Sequence, residues 1–433
     1  MKTEPISPQN PASTAQPVPM PVPMPVPMLD LKRQYRPLHQ ELLSAVGHVL
    51  ETQQFILGEP VAAFERAAAV QLGVAHAIGC SSGTDALWLA LVAAGIPPHE
   101  PGSIRGDPGM AVITTPFSFF ASVSAILRAG AQPLLADIEP ATFNLSPVAV
   151  EKILNGPQGA AVRAILPVHL YGQCADFTAF TRIAKERNLK LIEDAAQAWG
   201  AEWSRPDWQG VSSGVPSDRS SSLGCKAGSL GDAAAFSFYP TKNLSAAGDA
   251  GMVTTNSDEI AERARMLRQH GMRRRYHHDE IGWNARMDGF QGAILTVKLK
   301  YIDGWNQLRR TVARRYHALF HAAGLVEAGP YPSHGVVLPH EVPGTHHVWH
   351  QYVIRTNRRD GLRAFLTERK IGSEIYYPVP LHLQAALKPL GYAEVSFPEA
   401  ERAAREVLAL PIFPELREDE QQTVVSAIAE FLS

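Results

Sequence analysis

Between residues 75 and 256, short apolar runs recur that are too brief for helices: AHAIGC (75–80), MAVITTP (110–116), QPLLADI (132–138), AVRAILPVHLYG (161–172), LKLIEDA (189–195), AAAFSFYP (233–240) and GMVTTN (251–256). Several lack strict alternation, the pattern of a strand with helices on both faces. Between them apolar residues fall at helical spacing; in TDALWLALVAAG, Leu87, Leu91 and Ala94 are in phase. The pattern predicts an α/β domain on a seven-stranded, mostly parallel sheet. The last two runs, joined by a long loop, predict that the sheet is mixed.

After about residue 300 the pattern changes. A basic amphipathic helix (NQLRRTVARRYHALFHAAG, 306–324) precedes a strand-like HVWHQYVIRT (347–356), a helix (DGLRAFLTERK), another strand (SEIYYP) and two further helical segments. This predicts a smaller C-terminal α+β domain over 306–433, following a large domain over 29–305. Segments 97–109 and 203–229, rich in Gly, Pro or Ser, read as surface insertions. Residues 17–28 repeat PVPM three times, and proline at every second position excludes helix and weakens sheet pairing. Residues 1–28 are therefore expected to form an extended, disordered tail, and they lack the apolar core of a signal peptide.

Composition narrows the function. Of 433 residues, 45% are hydrophobic and 19% charged, and 40 Lys plus Arg against 42 Asp plus Glu leave a net charge of -2. Without a basic field, nucleic acid and anionic membranes are not expected partners. Cys80, Cys174 and Cys225 are too few and too scattered for a disulfide framework, and no CxxC pair suggests zinc. A reducing, cytoplasmic setting is expected, with no metal and no transmembrane helix.

Candidate chemistry centres on Lys242 in FSFYPTKNLSAAGDAG (236–251), just where a strand is expected to end. Burial there lowers the pKa of an amine and favours a nucleophilic lysine, able to join an aldehyde cofactor such as pyridoxal phosphate. Thr-Lys-Asn is equally the sequence of a surface loop. CSSGTDAL (80–87) follows a strand and opens a helix at Gly83-Thr84, where free amides and the helix dipole suit a phosphate, or where an ordinary cap would serve. Asp194 ends the strand LIED, placed either to hold a protonated pyridine nitrogen or to cap a helix. Phe119 in TTPFSFFAS offers a flat ring for stacking, or for the core.

These segments occur in a familiar order. SSGTDAL, ITTPFSFFAS, ILPVHLYGQ, IEDAAQAWGA, SLGDAAAFSFYPTKNLSAAGDAGMV, WNARMD and YYPVPLHLQ resemble the DegT/StrS-type sugar aminotransferases, pyridoxal-phosphate enzymes of the aspartate aminotransferase fold (fold type I). The resemblance runs from Leu29 to the C-terminus and leaves out the proline tail and the 203–229 loop. It implies that Lys242 is the Schiff-base lysine and shuttles the proton, that Asp194 partners the pyridine nitrogen, and that Gln197 lies near the phenolic oxygen. It puts Phe119 on the ring and Gly83, Thr84 and Ser237 around the phosphate. Asn284 would reach the phosphate of the neighbouring subunit in a homodimer, Arg286 would hold an amino-donor carboxylate, and His382 would line the substrate entrance.

The implied reaction moves an amino group from L-glutamate to a nucleotide-linked keto-sugar. A dTDP-linked 3-keto-6-deoxyhexose is the leading expectation and a UDP-linked keto-sugar the alternative, with the basic run MRRRYHH (272–278) meeting the diphosphate or forming a solvated turn. Dehydratase relatives carry histidine where this chain has Lys242. A regulatory protein retaining the fold is the rival from another class. No GxGxxG follows a strand, which speaks against a nicotinamide dehydrogenase.

Overall fold

A computed structural model describes residues 25–96, 107–204 and 224–433. All seven expected runs form strands: β1 His76–Cys80, β2 Asp107–Thr114, β3 Ala131–Leu135, β4 Val162–Ile165, β5 Lys190–Asp194, β6 Ala233–Ser237 and β7 Gly251–Thr255. They make one sheet in the order β1-β7-β6-β5-β4-β2-β3. β7 runs antiparallel to both β1 and β6, and every other pairing is parallel. The mixed sheet is thus mixed by a single strand.

Helices cover both faces, which explains the unbroken apolar runs. On one side Gly83–Ala93, Ala121–Arg128 and Asp258–Leu267 pack a core with Leu87, Leu91, Ile126, Ala264 and Val253. On the other side Gly58–Leu72, Pro147–Leu154 and Phe177–Arg187 bury Phe64, Val150, Phe177 and Phe180 against Ile113, Ile165 and Leu191. Gly83–Ala93 is sealed from Ala86 to Ala93, so its wholly apolar sequence is that of a central helix.

The C-terminal part is helical around an antiparallel pair, β8 Tyr352–Arg355 and β9 Val407–Leu410. Two expectations are corrected here. The expected strand SEIYYP contributes only a single bridge, Glu374 with Ala409, whereas VLAL, in the stretch read as helical, is β9. Helix Ile302–Ala322 buries Ile302 in one core and Tyr316 in the other. Val26, placed by the sequence in the tail, is 1% exposed. Its amide donates to the Lys370 carbonyl at 3.1 Å and its carbonyl accepts from Gly372 at 2.8 Å, so the chain is already docked at that residue.

Both expected insertions are partly placed. Residues 107–109 of the first belong to β2, and 97–106 lie outside the described residues. The second is gripped at its base, where Trp203 pairs with Cys225 and Glu202 with Lys226. Residues 205–223 lie outside the described residues.

Candidate active site

The parallel strands end at one edge of the sheet. Cys80, Thr114, Asp194 and Ser237 are the last residues of β1, β2, β5 and β6, and antiparallel β7 begins there with Gly251. In open α/β sheets this carboxyl edge is where ligands bind.

Two glycines let the first helix close on that edge. A Cβ on Gly83 would meet the Ser237 Cβ at 2.5 Å, and one on Gly251 would collide with the Ser82 carbonyl. Ser82 caps the helix by accepting the Asp85 amide at 3.1 Å. The Gly83 and Thr84 amides have no protein acceptor among the described residues, and they sit beside the Ser237 hydroxyl. This is a cradle for an anion, with the positive end of the helix dipole behind it.

Asp194 is 4% exposed. The Ser122 hydroxyl donates to its Oδ2 at 2.8 Å and the Ala196 amide to its Oδ1 at 3.2 Å. Burial raises the pKa of its carboxyl, opposed by those two hydrogen bonds and then by the charge of Lys242. Burial also lowers the ammonium pKa of Lys242, to about 8, while Asp194 pulls the other way. The charges of Asp194, at the end of β5, and of Lys242, in the loop after adjacent β6, thus influence each other.

The Lys242 loop is held firmly. The Lys242 amide donates to the Tyr239 carbonyl at 2.8 Å, and Phe238 exchanges backbone bonds with Ala250 and Ala246. Asn243, buried behind the lysine, donates to Asn306 Oδ1 and to the Val348 carbonyl, both at 2.9 Å. Its Oδ1 is left to accept from His350 Nδ1 at 3.1 Å, so that nitrogen carries a proton. Burial and the nearby Lys242 hold the His350 pKa well below the ordinary range, so His350 is neutral. Lys298 donates to the Ser245 carbonyl and hydroxyl at 2.8 and 3.1 Å, tying the loop to helix Gly289–Leu299.

Gln197 accepts the Tyr171 amide at 2.6 Å through Oε1 and donates from Nε2 to the Tyr377 hydroxyl at 3.2 Å. Burial raises the Tyr377 pKa, and the nearby Asp194 adds to it. Phe119 is 62% exposed with its ring centroid 6.5 Å from that of Tyr377. The ring is therefore exposed rather than packed in the core.

The outer residues are placed differently. Segment 284–287 lies against the end of β1, through a Cys80–Arg286 bridge and a Ser81-to-Ala285 bond of 3.1 Å. Its alternation buries Ala285 and Met287 and turns Asn284 and Arg286 outward, where Arg286 Nε donates to Asn284 Oδ1 at 3.0 Å. His382 is enclosed. Its Nε2 lies 3.0 Å from Glu401 Oε1 and its Nδ1 has no protein partner among the described residues, so the side chain faces no open entrance in the single chain. The basic run forms an exposed hairpin, Met272–Arg274 with His277–His278. Arg273 is paired with Glu262 and Asp279, leaving Arg274 and Arg275 without carboxylate partners among the described residues.

Sequence reasoning passed over Ser122, Tyr377 and Asn243. Ser122 and Tyr377 lie inside the motifs TTPFSFFAS and YYPVPLHLQ, but only the fold turns them toward Asp194 and Gln197. No cluster of three metal-ligating side chains occurs among the described residues.

The chain belongs to the DegT/DnrJ/EryC1/StrS aminotransferase family, whose model matches residues 37–429. It is 46% identical over 93% of its length to a pleiotropic regulatory protein of Geobacillus stearothermophilus, 98% of which is covered. It is 38% identical to a UDP-N-acetyl-3-dehydro-alpha-D-glucosamine 3-aminotransferase of Acidithiobacillus ferrooxidans, covering 94% of this chain and 97% of that one. A dTDP-3-amino-3,4,6-trideoxy-alpha-D-glucose transaminase of Streptomyces venezuelae is also 38% identical, with 93% and 95% covered. The fold matches the crystal structure of S. venezuelae DesV in complex with a ketimine intermediate, with a TM-score of 0.82, 38% identity, and 94% and 99% of the chains covered. The protein is accordingly an enzyme of the aminotransferase class with the α/β fold expected from its sequence, and its family uses pyridoxal 5'-phosphate.

Proposed function

We propose that the protein transfers an amino group from L-glutamate to a nucleotide-linked keto-sugar, with a dTDP-3-keto-6-deoxyhexose as the favoured acceptor and a UDP-linked keto-sugar as the alternative. The observation that carries this reading is that Asp194 and Lys242, whose charges influence each other, both stand beside the anion cradle at the carboxyl edge of the sheet. When bound, the cofactor supplies a protonated ring that takes up the electron pair released by a breaking C–H bond. The Gly83 and Thr84 amides and the Ser237 hydroxyl hold its phosphate, Asp194 holds the proton at its ring nitrogen, Gln197 faces its phenolic oxygen, and Phe119 covers one ring face. Lys242, with a pKa of about 8, can both accept and return a proton near neutral pH.

Arg286 anchors a donor carboxylate in this reading, and Arg274 and Arg275 meet the sugar-nucleotide diphosphate through charge-assisted bonds. Asn284 serves the phosphate of a second copy, whereas His382, enclosed against Glu401, has no part at the substrate entrance in this reading. A homodimer is supported by exposed Leu43, Leu50, Phe55 and Ile56, an apolar row that leads by way of the Ile56–Asp288 bridge to the segment carrying Arg286. These substrates set the cytoplasm as the compartment, and no helix among the described residues is long and apolar enough to cross a membrane.

The test is a pair of half-reactions followed by absorbance. Glutamate should discharge the visible band of the loaded protein, and a keto-sugar nucleotide should restore it; restoration by free keto acids alone would remove the sugar assignment. A regulatory role is the second reading, favoured by the name of the G. stearothermophilus relative. Full cellular function of a Lys242→Ala protein would support that role over catalysis.

A further inference from the structure

The phosphate cradle contains a charge of the wrong sign. Asp85 lies in the first turn of helix Gly83–Ala93, the turn whose free amides face the proposed phosphate. Its Oδ2 accepts from the Ser81 and Ser82 hydroxyls, and its Oδ1 is engaged by the Arg128 guanidinium. Arg128 closes helix Ala121–Arg128 and lies against two indoles that meet edge to face, 4.4 Å from the Trp88 ring centroid and 5.1 Å from that of Trp283. Trp88 is fully buried, and Trp283 directly precedes Asn284 in the segment that lies along β1.

Electrostatics gives this arrangement a purpose. A carboxylate in the first turn favours the helix dipole but repels a phosphate dianion bound at the same turn. A guanidinium on that carboxylate removes the repulsion while leaving the two serine hydroxyls held, and its charge is favoured beside the indole rings. We propose that Arg128 is a positioning residue for the cofactor phosphate: it cancels the Asp85 charge in the cradle, and the edge-to-face pair Trp88 and Trp283 holds it there, next to the segment bearing Asn284 and Arg286. The inference rests on the phosphate reading of Gly83 and Thr84.

The test is titration of cofactor-free protein with pyridoxal 5'-phosphate, and separately with pyridoxal, which lacks the phosphate. Arg128→Gln should bind the phosphorylated cofactor about tenfold more weakly at low salt, with a smaller loss at high salt and little change for pyridoxal. Asp85→Asn with Arg128→Gln should recover the affinity, because the unpaired carboxylate is gone. Arg128→Lys, which keeps the charge, should stay close to wild type. Unchanged binding in Arg128→Gln, no recovery in the double variant, or a loss in Arg128→Lys equal to that in Arg128→Gln would each overturn the proposal. If Arg128→Gln does not fold, Asp85→Asn alone decides, since it must bind at least as tightly as wild type. Failure of the wild-type protein to bind the cofactor would instead overturn the phosphate reading itself.

Discussion

Glu193 and Asp194 are consecutive carboxylates at the end of one strand, and the pleat of β5 sends them to opposite faces of the sheet. Glu193 is fully buried and saturated. It accepts the Gly228, Leu230 and Gly231 amides at 2.7 to 2.8 Å and His169 Nε2 at 2.9 Å. Because the Ala175 amide donates to His169 Nδ1 at 3.0 Å, the ring proton sits on Nε2 and points at Glu193. Among the described residues Asp194 accepts only from Ser122 and Ala196, and the charge of Lys242 reaches it. The same chemical group thus staples a loop on one side of the strand and, on the other, keeps fewer partners among the described residues, as the proposed role in the site requires. Partner count, not burial, distinguishes the two acids, since both are buried.

The comparison can be broken from the site side first. Lys242→Ala should reduce turnover at least about ten-thousandfold, as loss of a residue acting as both base and acid implies, while thermal unfolding stays near wild type. Borohydride treatment of the loaded wild type should fix the cofactor to the peptide containing Lys242, and attachment elsewhere would refute its role. Asp194→Asn should keep the cofactor bound and lose turnover about a thousandfold, since a neutral amide cannot hold the ring proton. Near-normal rates would mean that the open carboxylate is not the functional one.

From the structural side, Glu193→Gln should cost about 2–4 kcal/mol of stability by turning an amide N–H toward groups that are themselves donors. Denaturant unfolding measures this loss, and kcat of the protein that remains folded should be close to wild type. A large fall in kcat with unchanged stability would reverse the roles assigned to the two acids.

The smallest expected effect is a displaced pH profile. Lys242 is depressed to about 8, so below that pH it is mostly ammonium and above it mostly the reactive amine. Loading of cofactor-free protein should therefore speed up with rising pH and level off above about 8, where a lysine with an ordinary pKa of about 10.4 would still be climbing. Asp194→Asn removes the negative charge that helps hold the proton, which should move the midpoint down. A midpoint that stays fixed or rises would show that the two groups do not interact.

Much of this was readable along the chain. Seven strands announced themselves because strands buried on both faces need uninterrupted apolar runs, and Lys242, Asp194 and Gly83 stood where those runs stop. VLAL was harder, since four apolar residues between helical segments satisfy either period, and only pairing with Tyr352–Arg355 makes them a strand. Val26 carries the composition of a solvated tail, yet it finds a free edge at Lys370–Gly372 far along the chain.

By itself the sequence determined the periodicities, the glycines at the close approaches and the order of the chemical motifs, because these are local properties of side chains and backbone. Tertiary structure alone decided that Glu193 is used up by the Gly228–Gly231 loop and His169, that His382 is enclosed against Glu401, and that Arg128 lies against the edge-to-face pair Trp88 and Trp283. Those contacts join residues distant in the chain, and their energies depend on desolvation and partner count, which exist only once the chain has folded.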